Sequence, residues 1–281
     1  MRRYNLAEQV DRLNEEDRSK QYGIWEARVG RLPTDNGTAL RAALREAARL
    51  DSAAGVTTLR KYRHSSAVES ALTRYSGLLF GKICEHGSLA FCSCCHEIVR
   101  YSRDAKAVCA LGFECACRAG NLEVARWLSS RISKRDCVPF VGACEGGHLA
   151  TAKWILERWG PRKLDGRCAM VTACQHGHVH VAKWLKERFH LSIESWTDGL
   201  EYAFVRACAE GHVSTACWLV MAFCVTDDLV ERSGAYERAC VEDRVDVARW
   251  LRARYHVRLS HNGLLVACWK GAACFGIIDT G

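Results

Sequence analysis

ACQHGHVHVAKWL, at Ala173–Leu185, decides the fold, because four close copies of this stretch occur in the same chain. In each copy an Ala-Cys pair is followed, ten residues past the Cys, by Trp-Leu or Trp-Ile. The other copies are Ala116–Leu128, Ala143–Ile155, Ala207–Leu219 and Ala239–Leu251. Successive copies begin 27 to 34 residues apart. A constant internal spacing with such a period is typical of a stacked repeat array.

Each copy predicts two helices joined by a tight turn. The apolar segment that ends at Ala-Cys forms the first helix. The Gly three residues past the Cys ends it, since glycine adopts the left-handed conformation most easily. These glycines are Gly120, Gly147, Gly177, Gly211 and, in a weaker copy, Gly271. Asp243 replaces the glycine in the last clear copy, where we expect a strained or looser turn. The second helix is apolar at spacings of three and four residues, which predicts a broad buried stripe.

The cysteines follow the repeat. Of 17 cysteines, seven share one register: Cys84, Cys117, Cys144, Cys174, Cys208, Cys240 and Cys268. Neighbouring helices in a stack lie about 8–10 Å apart, whereas a disulfide needs its Cα atoms within about 7 Å. We therefore interpret the register cysteines as small buried apolar residues of a protein in a reducing compartment.

The repeated stretch resembles the middle of an ankyrin repeat, in which Ala-Ala-x-x-Gly-His-Leu precedes a second apolar helix. The Cys and Trp substitutions are similar to those of divergent ankyrin arrays from large DNA viruses and some protists. The resemblance implies an all-α, ankyrin-like solenoid of stacked helix-turn-helix repeats. The Thr-Pro-Leu-His opening and the Gly-Ala-Asp-Val-Asn hairpin of that family are absent from the clear copies, which leaves the protruding β-turn fingers open.

Weaker copies flank the clear ones, which run from about residue 108 to 255. Ile83–Glu97 keeps the Cys and Gly register but has Cys94 at the Trp position, and Ala47–Tyr62 is a more degenerate candidate. We assign residues 1–40 to an N-terminal helical cap or linker and residues 41–281 to the repeat array. The apolar last segment indicates either a truncated reading frame or an end that a partner covers.

Charge and hydropathy indicate where in the cell the protein is expected to be. The net charge is +8, which is a mild excess, and the basic residues are spread along the chain. The N-terminal segment lacks the apolar stretch of a secretory signal, and no window approaches the ~18 apolar residues of a membrane span. We expect a cytoplasmic monomer, in the host cytoplasm if the protein is viral, with the nucleus as an alternative location.

Metal binding is the main chemical alternative. Cys92, Cys94, Cys95 and His96 lie close together, with Cys84 and His86 upstream. Structural zinc sites, however, use Cys-x₂₋₄-Cys pairs, whereas this cluster has Cys-x-Cys-Cys spacing. We therefore predict no metal and no other cofactor, and we keep zinc as an alternative.

Two aromatic series could suggest a function but fit the repeat better. His148, His178 and His212 follow the turn glycine and are interpreted as turn residues that bond to backbone, rather than as a metal ladder. The tryptophans of the clear copies lie on the apolar stripe, so we expect them in the core and not as stacking platforms for bases. They are Trp127, Trp154, Trp184, Trp218 and Trp250.

No phosphate-binding loop, HExxH motif or nucleophile elbow occurs in the sequence, so we predict no catalytic activity. The ankyrin resemblance implies a protein–protein interaction scaffold that binds partner proteins through the concave face of the array. It places the contact residues between Ala-Cys and Gly. These residues are Arg118, Glu145, Gln175, His176, Glu210, Glu242 and Lys270. An adaptor that delivers substrates to a ubiquitin ligase is the alternative function, although residues 1–40 contain no convincing F-box. Binding to nucleic acid through the positive charge is a weaker one.

Overall fold

The structure is a computed structural model that describes residues 37–50, 53–132, 139–160, 166–255 and Val257. These segments are all-α and contain no strand. They form fifteen helices: α1 Gly37–Leu50, α2 Ala53–Lys61, α3 Ser66–His86, α4 Leu89–Val99, α5 Ala105–Arg118, α6 Leu122–Ser129, α7 Phe140–Glu145, α8 Leu149–Trp159, α9 Gly166–Gln175, α10 Val179–Arg188, α11 Ile193–Ala209, α12 Val213–Phe223, α13 Asp227–Arg232, α14 Ala235–Val241 and α15 Val245–Tyr255. None of them is long and apolar enough to span a membrane.

The chain divides into two compact units. The first comprises Met1–Ala116 with Glu123–Ser133, and the second comprises Cys117–Leu122 with Lys134–Gly281. The cap predicted at the N-terminus lies mostly outside the described residues, and so does the closing repeat with Cys268, Lys270 and Gly271.

The helices of the second unit pack in sequence order. The pairs are α7 with α8, α9 with α10, α11 with α12 and α14 with α15. Among the first helices, α9 contacts both α7 and α11, and α11 also contacts α14. Among the second helices, α12 contacts both α10 and α15. Four of the five predicted helix pairs are therefore confirmed, and these four pack against one another in chain order.

The turn inside each pair is a Schellman motif, the hydrogen-bonded closure that a left-handed residue gives to a helix. Gly147 N–H donates to the Cys144 carbonyl at 3.2 Å, and His148 N–H donates to the Ala143 carbonyl at 2.9 Å. The same two bonds recur in the turns of the next three pairs. The left-handed residues are Gly120, Gly147, Gly177, Gly211 and Asp243, the last with φ +55°. The Ala-Cys-x-x-Gly pattern thus supplies both carbonyls and the residue that closes the turn.

Most of the largest core side chains occupy a register that the sequence analysis did not identify. Four residues before each register Cys stands a side chain that is at most 5% exposed. These residues are Phe80, Phe113, Phe140, Met170, Phe204 and Tyr236. Burial of a side chain of this size stabilises the fold by about 1.5–3 kcal/mol. The buried side chain at this register position anchors even short first helices, such as α7, in the core.

The five register tryptophans are half-buried, which corrects the expectation that they lie in the core. Trp184 packs against Phe140 of the preceding pair, with ring centroids 6.2 Å apart, and Trp250 packs against Phe204 in the same way, at 6.5 Å. Each of these indoles covers the buried phenylalanine of the preceding pair, while part of its own ring stays in contact with solvent. The fully buried residues of the second helices are their neighbours, such as Ala182 and Leu185.

Connections between pairs vary, as the repeat spacing predicts. α10 and α11 are joined by residues 189–192, a four-residue link that contains no strand and is too short for a hairpin finger. The longer link between α12 and α14 instead contains the short helix α13, which begins at Thr226 with a hydroxyl cap to Leu229 N–H. In these two connections a β-turn finger is absent.

The first unit packs its helices through close glycine contacts. α3 contacts α1 and α4, and α2 contacts α4. A Cβ added at Gly112 of α5 would lie 2.7 Å from the Phe80 ring, and one at Gly81 of α3 would lie 2.9 Å from Cys115 Sγ. Both glycines therefore allow α3 and α5 to approach more closely than a larger residue would permit.

Candidate functional site

The candidate site lies on the exposed side of the first helices of the second unit. We define the first-helix face by the half-buried or exposed residues of α7, α9 and α11 and by the turns that follow them. Residues three or four apart on a helix share one side, so these positions form one stripe on each helix. The stripe residues are Val141, Glu145, Cys168, Val171, Gln175, Tyr202, Val205 and Arg206.

Histidine side chains connect successive turns, because each packs against the glycine of the preceding turn. A Cβ at Gly147 would lie 2.5 Å from His178 Nδ1, and one at Gly177 would lie 2.7 Å from His212 Nδ1. Each imidazole thus covers the bare glycine of the preceding turn. The His178 ring also hydrogen-bonds the Glu145 backbone, and the His212 ring does the same with Gln175. The interpretation of the register histidines as backbone-bonding turn residues is confirmed for His178 and His212.

Burial favours the neutral form of these histidines. It lowers the pKa of His178, and the neighbouring imidazoles of His180 and His176 lower it further, while the bond to the Glu145 backbone opposes them. The pKa values of His148 and His212 are also lowered, mainly by burial. A neutral imidazole can donate one N–H to a carbonyl without placing a buried charge beside the turn.

Two of the predicted contact residues form a polar network across three turns. Gln175 Oε1 accepts a hydrogen bond from Arg206 Nε at 3.1 Å. Glu210 lies between two guanidinium groups, with Arg206 Nη2 and Arg244 Nη2 each 3.6 Å from its carboxylate. Arg244 Nε also donates to the Ala209 carbonyl at 2.9 Å. Gln175 and Glu210 therefore join neighbouring helix pairs, in addition to lying at the surface.

The other predicted contact residues lie at the same edge but have different surroundings. His176 is exposed, with its Nδ1 2.9 Å from the Thr172 carbonyl, and Glu242 is also exposed. Glu145 and Arg118 are half-buried, and the Arg118 carbonyl occupies the space that a Cβ at Gly146 would need. Lys270 lies outside the described residues.

Sequence reasoning missed two kinds of surface residue. Arg244 occupies the register position of the turn histidines, which was the available signal, and its side chain lies 3.2 Å from a Cβ position at Gly211. Tyr202 stands six residues before Cys208 on α11 and is 56% exposed. With the half-buried valines Val141, Val171 and Val205 it gives the first-helix face an apolar component.

The register cysteines are buried thiols. Burial raises the pKa of both Cys144 and Cys174 to about 12, so both stay protonated near neutral pH. In the first unit the Cys92 thiol is within 3.8 Å of both the Ile83 and Gly87 carbonyls. His96 packs edge-on against Trp127 at 5.3 Å between ring centroids. Within the described part of the chain, no group of three or more His, Cys, Asp or Glu side chains is arranged to hold a metal ion.

A comparison of the sequence with known protein families finds no matching family, and a comparison with curated proteins finds no match.

Proposed function

We propose that this protein is a non-catalytic interaction scaffold, an ankyrin-like array that binds a partner protein through its first-helix face. The observation that carries the proposal is the contrast between constant and variable positions in one register. The Ala-Cys pair is buried in every clear repeat, whereas the two positions after it carry a different pair of residues in each. A surface that varies on a constant frame suits recognition of one partner.

The chemistry of the face supports a protein as the ligand. Tyr202 supplies a large amphipathic ring, and the half-buried Val171 and Val205 lie on the same helix sides. Arg206 is held in place by Gln175 and Glu210, so its ordering cost is met before binding. Exposed tyrosine and ordered arginine are the residues that most often dominate protein interfaces. The partner that we propose is a folded or extended protein with mixed polar and apolar contacts.

The test is site-specific photo-crosslinking in extracts of the native cell. A photoreactive phenylalanine analogue replaces Tyr202 on α11 in one variant and the exposed Lys153 on α8 in the control variant. We expect a discrete crosslinked partner from position 202 and none of that partner from position 153. Equal capture from both positions would show that the first-helix face is not the contact surface.

A second variant tests whether the predicted contact residues select the partner. Glu145→Arg combined with His176→Glu changes the charge at two positions without removing any ion pair described for the face. Glu210 is left unchanged, because a cation beside Arg206 and Arg244 would disturb the turns themselves. We expect the double variant to lose the crosslink at position 202 while keeping the unfolding midpoint of the parent. An undiminished crosslink would contradict the proposed contact residues.

A further inference from the structure

The second helices of the second unit divide into charged ones and one that carries no charge. α8, α10 and α15 together hold eight basic residues against three acidic ones, whereas α12 has no charged residue. The sequence of α12 is VSTACWLVMAF. Its Met221 is 72% exposed, although methionine is ordinarily a core residue. The repeat register does not require this, since the equivalent helices carry charged side chains.

The difference falls on the register positions where the neighbouring helices are basic. Nine residues past the register Cys, Cys217 of α12 lies between Lys183 of α10 and Arg249 of α15. Twelve residues past it, Val220 lies between Lys186 and Arg252. The acidic residues Glu187 of α10 and Asp246 of α15 are also exposed on this side, and Asp246 lies 3.5 Å from Arg249. All four basic residues, Lys183, Lys186, Arg249 and Arg252, are exposed or half-buried.

These positions form one surface because α12 contacts both α10 and α15. Neighbouring helices in such packing lie about 8–10 Å apart, so the two basic rows flank an apolar strip roughly 16–20 Å wide from axis to axis. An α-helix with its side chains is about 10–12 Å in diameter. The strip is therefore wide enough for one helix, with two basic residues along each of its sides.

We infer that the face of α10, α12 and α15 is a second docking surface, whose occupant is an amphipathic helical segment with acidic residues on both sides of its apolar stripe. The apolar stripe would cover Met221 and Cys217, and the acidic flanks would face Lys183 and Arg249. A groove that presents methionine suits helices of varied sequence, because the thioether adapts its shape. This surface is separate from the first-helix face and does not depend on its proposed partner.

The test uses the full chain and synthetic peptides, with binding followed by fluorescence anisotropy. The probe is a labelled amphipathic peptide about 14 residues long, roughly four helical turns, with leucine along one side and glutamate along both flanks. Matched peptides carry lysine in place of every glutamate, or the same composition in scrambled order. We expect the glutamate peptide to bind at least about tenfold more tightly than either control, and its affinity to fall with added salt.

Three variants assign the binding to this surface. Met221→Asp places a charge of the same sign as the peptide's flanks at the centre of the strip and should weaken the glutamate peptide by about tenfold or more. Lys183→Glu with Arg249→Glu should reverse the preference, so that the lysine peptide binds more tightly than the glutamate peptide. Arg167→Glu, the same charge change on an exposed residue of α9, should leave both affinities unchanged. The unfolding midpoint of each variant shows that the chain remains folded, and the charge-reversed pair tests the inference even if Met221→Asp unfolds.

Several results would overturn the inference. They are failure of the glutamate peptide to bind, equal affinity for the lysine peptide, or an unchanged preference in the charge-reversed variant. A separate arm offers vesicles of phosphatidylserine and phosphatidylcholine, since a basic face with exposed methionine could also contact an anionic membrane. Co-flotation with those vesicles, without binding of the glutamate peptide, would identify the face as a membrane contact and reject the peptide groove.

Discussion

The two units use the same register in different ways. In the second unit the residue three past the register Cys has a positive φ, as in Gly147 at +76°, and a histidine or arginine of the next turn covers it. In the first unit Gly87 holds that position with φ −78° and ψ 153°, after a helix of 21 residues. In the first unit, helical glycines such as Gly112 of α5 instead allow neighbouring helices to approach closely. At this register, therefore, Gly147 supplies a left-handed conformation, whereas Gly87 does not.

This contrast separates what the register preserves from what it allows to change. Phe80 in the first unit and Phe204 in the second stand four residues before a register Cys, and both are 0% exposed. Cys84 and Cys208 are likewise fully buried. The buried half of the repeat is common to both units, whereas the turn, the second helix and the surface differ. The predictions below test that division.

The largest effect is expected from the shared phenylalanine register. Phe80→Ala and Phe204→Ala should each lower the free energy of unfolding by about 3–5 kcal/mol, because each empties a closed site. Trp184→Ala should cost less, about 1–2 kcal/mol, since its indole is only half-buried. Urea denaturation followed by circular dichroism measures all three. If Trp184→Ala lowered the free energy of unfolding as much as the phenylalanine variants do, Trp184 would have to be counted as a core residue.

The next effect concerns the turn glycines of the second unit. Gly147→Ala should cost about 2–4 kcal/mol, because the new methyl group meets both a left-handed backbone and the His178 ring. Gly234→Ala is the matched control, with a left-handed φ of +68° and ψ of 17° but no atom within 4 Å of the added Cβ, and should cost only about 1–2 kcal/mol. Combining Gly147→Ala with His178→Ala should bring the cost towards that of the control. Equal costs for the two single variants would show that the imidazole does not constrain the turn.

In the first unit, the cost of replacing a helical glycine should depend only on the space available for the added methyl group. Gly112→Ala lies within a helix and should cost about 1–3 kcal/mol through overlap with the Phe80 ring. Phe80→Leu removes part of that ring, so the double variant should be less destabilised than the sum of the single changes. Thermal unfolding of the four proteins gives the coupling energy. Additive effects would mean that the two helices separate freely and that the close approach is not needed.

How much of the fold and of the candidate site could be predicted depends on how far apart in the sequence the interacting residues lie. The helix pairs and the left-handed turns were predictable, because Ala-Cys-x-x-Gly fixes both within one short segment. The phenylalanine register was also present in the sequence, but Met170 and Tyr236 interrupt it and the tryptophans are more conspicuous. The bond from Arg206 to Gln175 was not predictable, since it joins residues 31 positions apart whose side-chain directions depend on packing. The absence of charged residues from α12 could be read from the sequence. Only the packing of α12 between α10 and α15 showed that basic residues flank it.

The smallest effect should come from Asp243, the one turn where the second unit departs from its own rule. Asp243 has φ +55° and closes its Schellman motif, with its N–H 3.2 Å from the Cys240 carbonyl and Arg244 N–H 2.8 Å from the Ala239 carbonyl. The hydrogen bonds thus require the left-handed conformation even where the side chain opposes it. Asp243→Gly should therefore raise the free energy of unfolding by about 0.5–1 kcal/mol, once the greater entropy of glycine in the unfolded chain is set against the relieved strain. Asp243→Ala is the control and should destabilise, because alanine tolerates this conformation less well than aspartate. If Asp243→Gly were also destabilising, the aspartate side chain would have to contribute a contact of its own to the turn, and the position would not be a simple substitute for glycine.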